Sequence, residues 1–343
     1  MMDTPFLSAH GAAKLVSRQG LSQCLNGMHD AIAHDFKRWE QFEKWARLAS
    51  HCAEGVIEIM PISDGQTYGF KYVNGHPNNH RHELPTVMAF GVLASVQTGR
   101  PLFISELTLI TALRTAATSA LAARYMARTD ARSMALIGNG AQSEFQAVAF
   151  HGLLGIDTFY LYDPDLEATE KLADHLDELG LNTVVCKSIL EAVRKADVIT
   201  TATAVKTRAN VLTRDMLRPG VHINAIGGDC PGKTELHPDV LRHARVFVEF
   251  EPQTRIEGDI QQMPTDFPVT ELWEVLTGFA LGRTKADQIT VFDSVGFALE
   301  DFSALGYMHQ LAQAKGELEY LSLIPEMRNP KDLYGLIARK GAA

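Results

Sequence analysis

The chain of 343 residues is long enough for two domains of ordinary size, and 46% of its residues are hydrophobic and 21% charged. Its formal charge of −9 argues against a nucleic-acid-binding surface, and no stretch approaches the ~18 consecutive apolar residues of a membrane span. The amino-terminal residues lack the features of a secretory signal, and the four scattered cysteines predict reduced thiols in a cytoplasmic protein.

The first third of the chain combines helices with strands. Apolar side chains at helical spacing predict a helix over residues 20–42, and an alanine-rich helix is predicted over residues 108–127. The strands predicted between them are residues 55–62, 67–73, 86–96 and 101–105. A hairpin turn at residues 97–100 joins the last two strands. This part of the chain therefore has an α+β character.

From residue 133 onward, strands and helices alternate. The predicted strands are residues 133–137, 157–162, 183–186, 197–201, 221–226, 245–250 and 289–293. The predicted helices are residues 142–153, 165–179, 188–196 and 296–315. Such alternation is typical of a parallel sheet covered on both faces. We predict an α/β fold with a doubly wound, Rossmann-type domain (residues 119–311) and a first domain made of residues 1–118 and 312–343. The substrate is expected between them, because ligands of such sheets bind beyond the carboxyl ends of the strands.

A glycine-rich turn follows the first strand of the alternating part. An apolar strand leads into Gly138 and Gly140, a helix follows, and Asp163 comes 25 residues after Gly138. In a dinucleotide site the first glycine makes the tight turn, the second lets the backbone approach the pyrophosphate, and the acid binds the ribose hydroxyls. Ser143 replaces the third glycine of the pattern and is still small. The spacing predicts NAD, since the 2′-phosphate of NADP would meet the charge of Asp163.

Three later strands also end in side chains that suit a nucleotide and its substrate. Asp229 lies in a glycine-flanked loop at the rim where a nicotinamide ring would bind, although aspartate beside glycine and proline is also common in simple turns. Thr203 follows the strand at 197–201 on the adenosine side, although a strand terminus explains it almost as well. Ser294 follows the last strand, within reach of the nicotinamide amide.

The loop around Asp229 also matches the phosphate-binding pattern of nucleoside triphosphatases. Residues 227–234 have its spacing and end in Gly-Lys-Thr. We reject this reading, because Pro231 removes an N–H group that such a loop needs and Pro238 would break the helix that should follow. A dinucleotide turn already occupies the first strand of the sheet.

Charged residues interrupt apolar segments of the first domain. Burial of Arg47, Lys71 or Arg114 is costly unless an anion pairs with it. A buried acid of the protein is the simpler partner, and a substrate carboxylate is the alternative, for which arginine offers a two-pronged donor. Glu58, in an alternating apolar run, either belongs to the same pocket or faces water.

Three histidines near residue 80 raise the question of a metal site. His76, His80 and His82 fit neither a helical pair nor a zinc finger, and no cysteine lies near them in the sequence. We therefore predict a polar surface loop and no metal.

Taken together, several segments resemble the ornithine cyclodeaminase/μ-crystallin family. They are residues 70–77, 86–93, 112–119, 137–144, 227–237 and 291–296. The resemblance extends from about residue 30 to residue 335 and is poor in the first twenty and last ten residues. The block Gly-Asp-Cys-Pro-Gly-Lys-Thr-Glu-Leu-His at residues 228–237 resembles the bacterial, ornithine-specific branch.

The resemblance implies a homodimer built through the first domain, which would also bind the substrate. The substrate-binding residues that it implies are Arg47, Lys71, Arg114 and Val295. Its catalytic residues are Asp229, as the acid/base, and Glu58, which borders the substrate. Besides Gly138 and Gly140 of the turn, the implied cofactor-binding residues are Thr86, Arg114, Ala141, Gln142, Asp163, Thr203, Asn224, Ala225, Ile226, Gly227, Lys233 and Ser294.

The implied reaction converts L-ornithine to L-proline and ammonia. Hydride leaves Cα for NAD, and the δ-amine attacks the resulting imine carbon. The bond to the α-amine then breaks, ammonia leaves, and the cyclic imine takes the hydride back. The δ-ammonium, with a pKa near ~10.4, must first lose a proton, and Asp229 is the expected acceptor. Ring closure is intramolecular, which is worth up to ~7–11 kcal/mol. NADH should not accumulate.

Three other activities fit much of the same pattern. An imine (ketimine) reductase or alanine dehydrogenase of the family would consume or produce NADH stoichiometrically. A lysine cyclodeaminase would differ in pocket length, and one methylene separates substrates by only ~1–3 kcal/mol. A protein that only binds nucleotide and ligand would have no need of Asp229.

Overall fold

The computed structural model describes residues 3–204 and 208–338, which form two eight-stranded sheets and one two-stranded sheet, with helices between and around them. The helices are α1 (Ala9–Gln19), α2 (Leu21–Lys37), α3 (Thr108–Met126), α4 (Ser143–Leu154), α5 (Leu166–Glu178), α6 (Ile189–Val193), α7 (Pro238–Arg242), α8 (Glu251–Glu257), α9 (Leu272–Thr277), α10 (Ala298–Lys315) and α11 (Gly335–Ala338). The strands are β1 (Thr4–Leu7), β2 (Glu43–Lys44), β3 (Leu48–His51), β4 (Val56–Ser63), β5 (Thr67–Gly75), β6 (Ala89–Ser95), β7 (Pro101–Glu106), β8 (Ser133–Ile137), β9 (Thr158–Tyr162), β10 (Asn182–Val185), β11 (Val198–Thr201), β12 (Arg208–Leu212), β13 (His222–Ala225), β14 (Thr234–Leu236), β15 (Ala244–Val248), β16 (Thr270–Glu271), β17 (Ile289–Asp293) and β18 (Glu319–Leu321).

The first sheet is mixed and runs in the order β18-β1-β7-β6-β5-β4-β2, with β3 also paired to β4. Its centre is an antiparallel meander of β4 to β7. Side chains alternate between the two faces, so Met60, Leu93 and Phe103 are buried on one side, against which α10 packs. Glu58 and Lys71 lie on this same buried side of β4 and β5.

The opposite face of the first sheet is apolar and is not covered by the described part of the chain. Ile57, Tyr68 and Phe90 are 41%, 37% and 43% exposed on β4, β5 and β6. Tyr72 stacks on Phe90, and the register places Ile59 beside Tyr72. Contiguous apolar surface of this kind marks an interaction site.

The second sheet is wholly parallel in its described pairings, in the order β10-β9-β8-β11-β13-β17-β15-β16. Strand order reverses between β8 and β11, which defines the crevice where open α/β sheets bind ligands. Helix α3 joins the two sheets, because it contacts β6 of the first and β13 and β17 of the second. Its alanines, such as Ala116 and Ala120, are fully buried and let the neighbouring elements approach closely.

The α/β fold with a doubly wound sheet is confirmed, and the corrections are local. The strand predicted from residue 86 begins at Ala89. The N–H of Asn74 still donates to the carbonyl oxygen of Met88, but the N–H of Met88 donates to the side chain of Asn74 and not to its backbone. The helix predicted from residue 296 begins at Ala298, since Gly296 has a positive φ of 74°. The elements that the sequence does not predict are β1, β2, β3, β12, β14, β16, β18, α1, α7, α8, α9 and α11. Of the predicted first domain, residues 1–2 and 339–343 lie outside the described residues, and the division into domains stays a prediction.

None of the helices in the described ranges combines the length and the apolar character that crossing a membrane requires.

Candidate active site

The glycine turn lies at the point where strand order reverses. Gly138 has a φ of +95°, and a Cβ atom there would lie 2.6 Å from the carbonyl oxygen of Ala202 in the loop after β11. Only glycine combines that conformation with that approach. Gly140 faces open space instead, where a Cβ atom would meet nothing within 4 Å. The turn is thus closed on the protein side and open on the crevice side.

The polar groups at this turn fit a dinucleotide. The N–H of Asn139 donates to the carboxylate of Asp163 at 2.7 Å, which fixes the acid beside the turn at the end of β9. The hydroxyl of Ser143 donates to the carbonyl oxygen of Gly138, so the serine that replaces the third glycine ties the turn to α4. Within the described residues the N–H groups of Ala141 and Gln142 have no acceptor. Free donors at the start of α4 suit a pyrophosphate, and the carboxylate suits ribose hydroxyls.

Other predicted cofactor residues gather at the same edge of the sheet. Thr203 donates to the Glu235 carboxylate from its backbone N–H and its hydroxyl, and Asn224 donates to the hydroxyl of Thr200. The side chain of Ser294 donates to a buried glutamate. These side chains are therefore engaged inside the protein. The other predicted residues of this edge are Ala225, which ends β13, and Ile226 and Gly227, which follow it.

Two predicted cofactor residues come from the first part of the chain. Arg114 on α3 reaches the loop after β17, where a Cβ atom on Gly296 would lie 2.6 Å from its Nη1 atom. Thr86 is exposed in the loop before β6, and its carbonyl oxygen accepts the N–H of His76.

Lys71 and Arg114 are buried and share an acidic partner. The ammonium of Lys71 lies 2.8 Å from the carboxylate of Asp301, to which Arg114 also donates at 3.1 Å, and Arg114 donates to Glu300 at 2.7 Å. Both acids lie in the first turn of α10, where the helix dipole favours negative charge. Burial, together with the positive charge of Arg114, lowers the pKa of Lys71 to about 8.

These two cations keep hydrogen-bond donors for a further anion. An ammonium has three N–H groups and a guanidinium five. Within the described ranges, one N–H group of Lys71 donates to Asp301, and Arg114 donates one N–H group to each of its two acids. Protein acids are thus their partners, as the simpler prediction had it, yet each retains donors that a substrate carboxylate can accept.

Arg47 is held from several sides. Its Nη1 atom donates to Glu58 at 2.9 Å, and its Nη2 atom donates to the carbonyl oxygens of Val295 and Gly296 at 2.6 and 2.7 Å. Its Nε atom lies 3.0 Å from Glu257. Glu58 is therefore buried in the pocket and does not face water. Arg47 ties β4 to α8 and to the loop after β17.

Asp229 is the most accessible acid of this group, with a side chain 54% exposed. The ammonium of Lys233 lies 3.2 Å from it and is itself buried. Asp229 is close enough for its charge to raise the pKa of Arg47 and the pKa of Glu257. Thr234 opens strand β14 instead of a helix, so the loop lacks the geometry of a triphosphate-binding loop.

Sequence reasoning missed several buried acids that shape this site. Glu249 accepts the N–H groups of Val295 and Gly296, which anchors the loop after β17. Asp259 accepts the N–H groups of Glu235 and Leu236 at 2.8 Å, and burial raises its pKa to about 7. The available signal was an acid next to an apolar strand, as in Val-Phe-Val-Glu-Phe at residues 246–250.

Among the described residues, no group of three histidine, cysteine or acidic side chains is arranged to bind a metal ion. The Nδ1 atom of His76 lies 2.9 Å from the Asn74 amide, which ties the residue to the end of β5.

A glycine turn at the point where the strand order reverses, beside a cluster of buried cations, defines the chain as a dinucleotide-binding α/β protein. More narrowly, it belongs to the ornithine cyclodeaminase/mu-crystallin family, whose family model matches residues 12–316.

Relatives of the chain point in the same direction. It is 57% identical to an ornithine cyclodeaminase of Brucella suis over 335 residues, which are 98% of this chain and 94% of the relative. A solved lysine cyclodeaminase, studied for its recognition of L-lysine, L-ornithine and L-2,4-diaminobutyric acid, superposes with a TM-score of 0.91 at 30% identity and covers 98% of this chain and all of its own. An archaeal alanine dehydrogenase dimer with bound NAD has a TM-score of 0.86 at 29% identity, over 94% of this chain and all of its own.

Proposed function

We propose that this enzyme converts L-ornithine to L-proline and ammonia with NAD that is regenerated in each turnover. The observation that carries the proposal is the 57% identity, over nearly the whole chain, to a relative named ornithine cyclodeaminase. The more distant lysine cyclodeaminase and alanine dehydrogenase share the fold at about half that identity. Ornithine is therefore favoured over lysine and alanine as the substrate.

NAD binds in the crevice beside the glycine turn in this proposal. The free N–H groups of Ala141 and Gln142 take the pyrophosphate, and Asp163 takes the adenosine ribose. The nicotinamide then lies toward Ser294 and the loop that carries Asp229. When bound, NAD would supply hydride transfer in both directions, first as the acceptor and later as the donor.

The substrate carboxylate binds to the buried cations. Lys71 and Arg114 provide free N–H groups, and an arginine can meet a carboxylate with two of them. Arg47 faces the same pocket and keeps one N–H on Nη1 that no described residue accepts. Val295 borders the substrate, and its carbonyl oxygen accepts from Arg47. The α-carbon is thereby fixed next to the nicotinamide site.

Asp229 moves the protons. Its exposed carboxylate lies at the mouth of the pocket and is oriented by Lys233. It accepts a proton from the δ-ammonium, so that the amine becomes a nucleophile, and it returns a proton to the departing α-amine. Glu58 borders the same space and balances Arg47.

The working form is a homodimer in this proposal. The uncovered apolar face around Phe90 and Tyr72 is suited to pack against the same face of a second copy. We assign residues 119–311 to cofactor binding, and residues 1–118 and 312–343 to substrate binding and dimerisation. Cys24, Cys52 and Cys186 form no disulfide, which supports a cytoplasmic location.

The test is to incubate the protein with L-ornithine and a catalytic amount of NAD and to measure proline, ammonia and NADH together. Proline and ammonia should form in equal amounts, far in excess of the NAD added, while NADH stays low. NADH formed mole for mole with the amino acid consumed would make the protein an ordinary dehydrogenase. Turnover of L-lysine in preference to L-ornithine would make it a lysine cyclodeaminase.

A further inference from the structure

A cluster of three carboxylates surrounds the guanidinium of Arg47. Glu58 pairs with its Nη1 atom at 2.9 Å and Glu257 with its Nε atom at 3.0 Å, and Asp229 acts on it at longer range. Glu58 and Glu257 are both buried, with Glu257 only 3% exposed. Asp229 is also paired with Lys233, so the three carboxylates share two cations and one negative charge is left in excess.

Glu257 is the least satisfied member of this cluster. Its Oε2 atom is close to Arg47, but the N–H of Arg47 does not point at it, and neither atom has a hydrogen-bond partner among the described residues. A buried carboxylate oxygen without a donor is costly. Burial raises the pKa of Glu257 to about 7; the charge of Arg47 opposes this rise, and the charges of Glu58 and Asp229 add to it.

The position of Glu257 in its helix adds to this cost. It is the last residue of α8, where the helix dipole disfavours a negative charge. Gln253, one turn earlier on the same face, accepts the backbone N–H of Arg47 and donates to the carbonyl oxygen of Gly296. The helix is thus fixed against the pocket, with Glu257 held at its wall. A further cation from a ligand would relieve the excess of negative charge there.

We infer that Glu257 is a specificity-determining residue that, together with Glu58, binds the side-chain ammonium of a diamino acid. The inference rests on the proposed function and extends it. The cations Lys71 and Arg114 recognise a carboxylate that every amino acid carries, whereas the acids around Arg47 recognise the second amine that only a diamino acid carries. The pocket therefore separates ornithine from a mono-amino acid of the same length.

The experiment compares two ligands that differ only in that amine. Binding of L-ornithine and of L-norvaline, which lacks the δ-amine, is measured by calorimetry on the protein loaded with NADH, so that no turnover takes place. Glu257→Gln keeps the size of the side chain and an oxygen opposite Arg47 but removes the charge. We expect Kd for L-ornithine to rise about tenfold or more while Kd for L-norvaline stays unchanged.

Glu251→Gln, in the first turn of α8, is the matched control, because Glu251 pairs with Arg255 away from the pocket. It should change neither Kd. Equal weakening of both ligands by Glu257→Gln would mean that Glu257 only positions Arg47, and an unchanged Kd for L-ornithine would also overturn the inference. If Glu257→Gln fails to fold, the shorter acid in Glu257→Asp should still weaken L-ornithine more than L-norvaline.

The proposed function is tested by a different measurement, the formation of proline by the wild-type protein. Failure of the wild-type protein to form proline would reject that function whatever the ratio of the two affinities. Normal formation of proline, with an ornithine-to-norvaline ratio that Glu257→Gln leaves unchanged, would reject only the role of Glu257.

Discussion

At the scale of single residues, the site depends on charges that are buried and paired. Arg47 joins Glu58 on β4, Glu257 on α8 and the backbone of residues 295–296 after β17. Removal of one partner from such a group leaves an uncompensated buried charge, which typically costs ~3–5 kcal/mol. Substitution of Arg47 would therefore change stability and activity together, and a loss of activity could not be assigned to either cause. Asp229 is different, because it is largely exposed.

Asp229→Asn should separate catalysis from folding and cofactor binding. The amide cannot accept a proton at neutral pH, so proline formation should fall by about a hundredfold or more. NAD affinity and thermal stability should stay near the wild-type values, since asparagine keeps an oxygen that accepts a hydrogen bond from Lys233. Asp239→Asn, in the exposed start of α7, is the control. Full turnover by Asp229→Asn would remove this acid from the mechanism.

At the scale of elements, the parallel sheet brings distant parts of the chain to one edge. The loops after β8, β9, β11, β13 and β17 all leave at the carboxyl ends of their strands, so Gly138, Asp163, Thr203, Gly227 and Ser294 meet there. The turn after β8 touches the loop after β11 directly. This close approach requires a residue without a Cβ atom at position 138.

Gly138→Ala should therefore abolish NAD binding. The new methyl group would lie 2.6 Å from the carbonyl oxygen of Ala202, at a φ that alanine rarely adopts, and the turn would have to move. Gly152→Ala is a matched control on the adjoining helix, where a Cβ atom meets nothing within 4 Å. It should keep NAD binding and raise stability by ~0.5–1 kcal/mol. Titration of NAD by fluorescence and thermal unfolding would measure both effects, and tight NAD binding by Gly138→Ala would contradict the assigned site.

At the scale of the whole molecule, the two faces of the first sheet differ in what covers them. One face is packed against α10 and carries the buried Glu58 and Lys71 of the proposed substrate site. The other face presents Ile57, Tyr68 and Phe90 outside the fold of the single chain. A dimer through this face would hold rigid the strands that position the substrate groups.

Phe90→Glu should convert the protein to a monomer. The new charge would lie in the middle of the apolar face, where a symmetric interface would bury it twice without a partner. Sedimentation equilibrium would report the change. Phe279→Glu places the same charge at another exposed aromatic residue, outside the first sheet, and should leave the oligomeric state as it is. A dimer that persists in Phe90→Glu would place the interface elsewhere.

The sequence predicts the parallel sheet and its nucleotide turn well, because both depend on local order. Strand, glycine turn, helix and acid follow one another within residues 133–163, and Gly155 and Gly180 mark helix ends with positive φ as expected. Strands β1 and β18 are different, since they pair with each other across almost the whole chain. Neither has a strong pattern of its own, so their pairing depends on the rest of the fold.

The sequence by itself determined the fold class, the glycine turn with Asp163, and the presence of charges on apolar segments, because these are properties of neighbours in the chain. Only the tertiary structure decided which acidic side chain pairs with which basic side chain. Arg47 pairs with Glu58 from a neighbouring strand and with Glu257 from a helix more than two hundred residues away. Such pairs form because a buried charge must find its partner within a few ångströms in space, and distance along the chain does not restrict where that partner comes from.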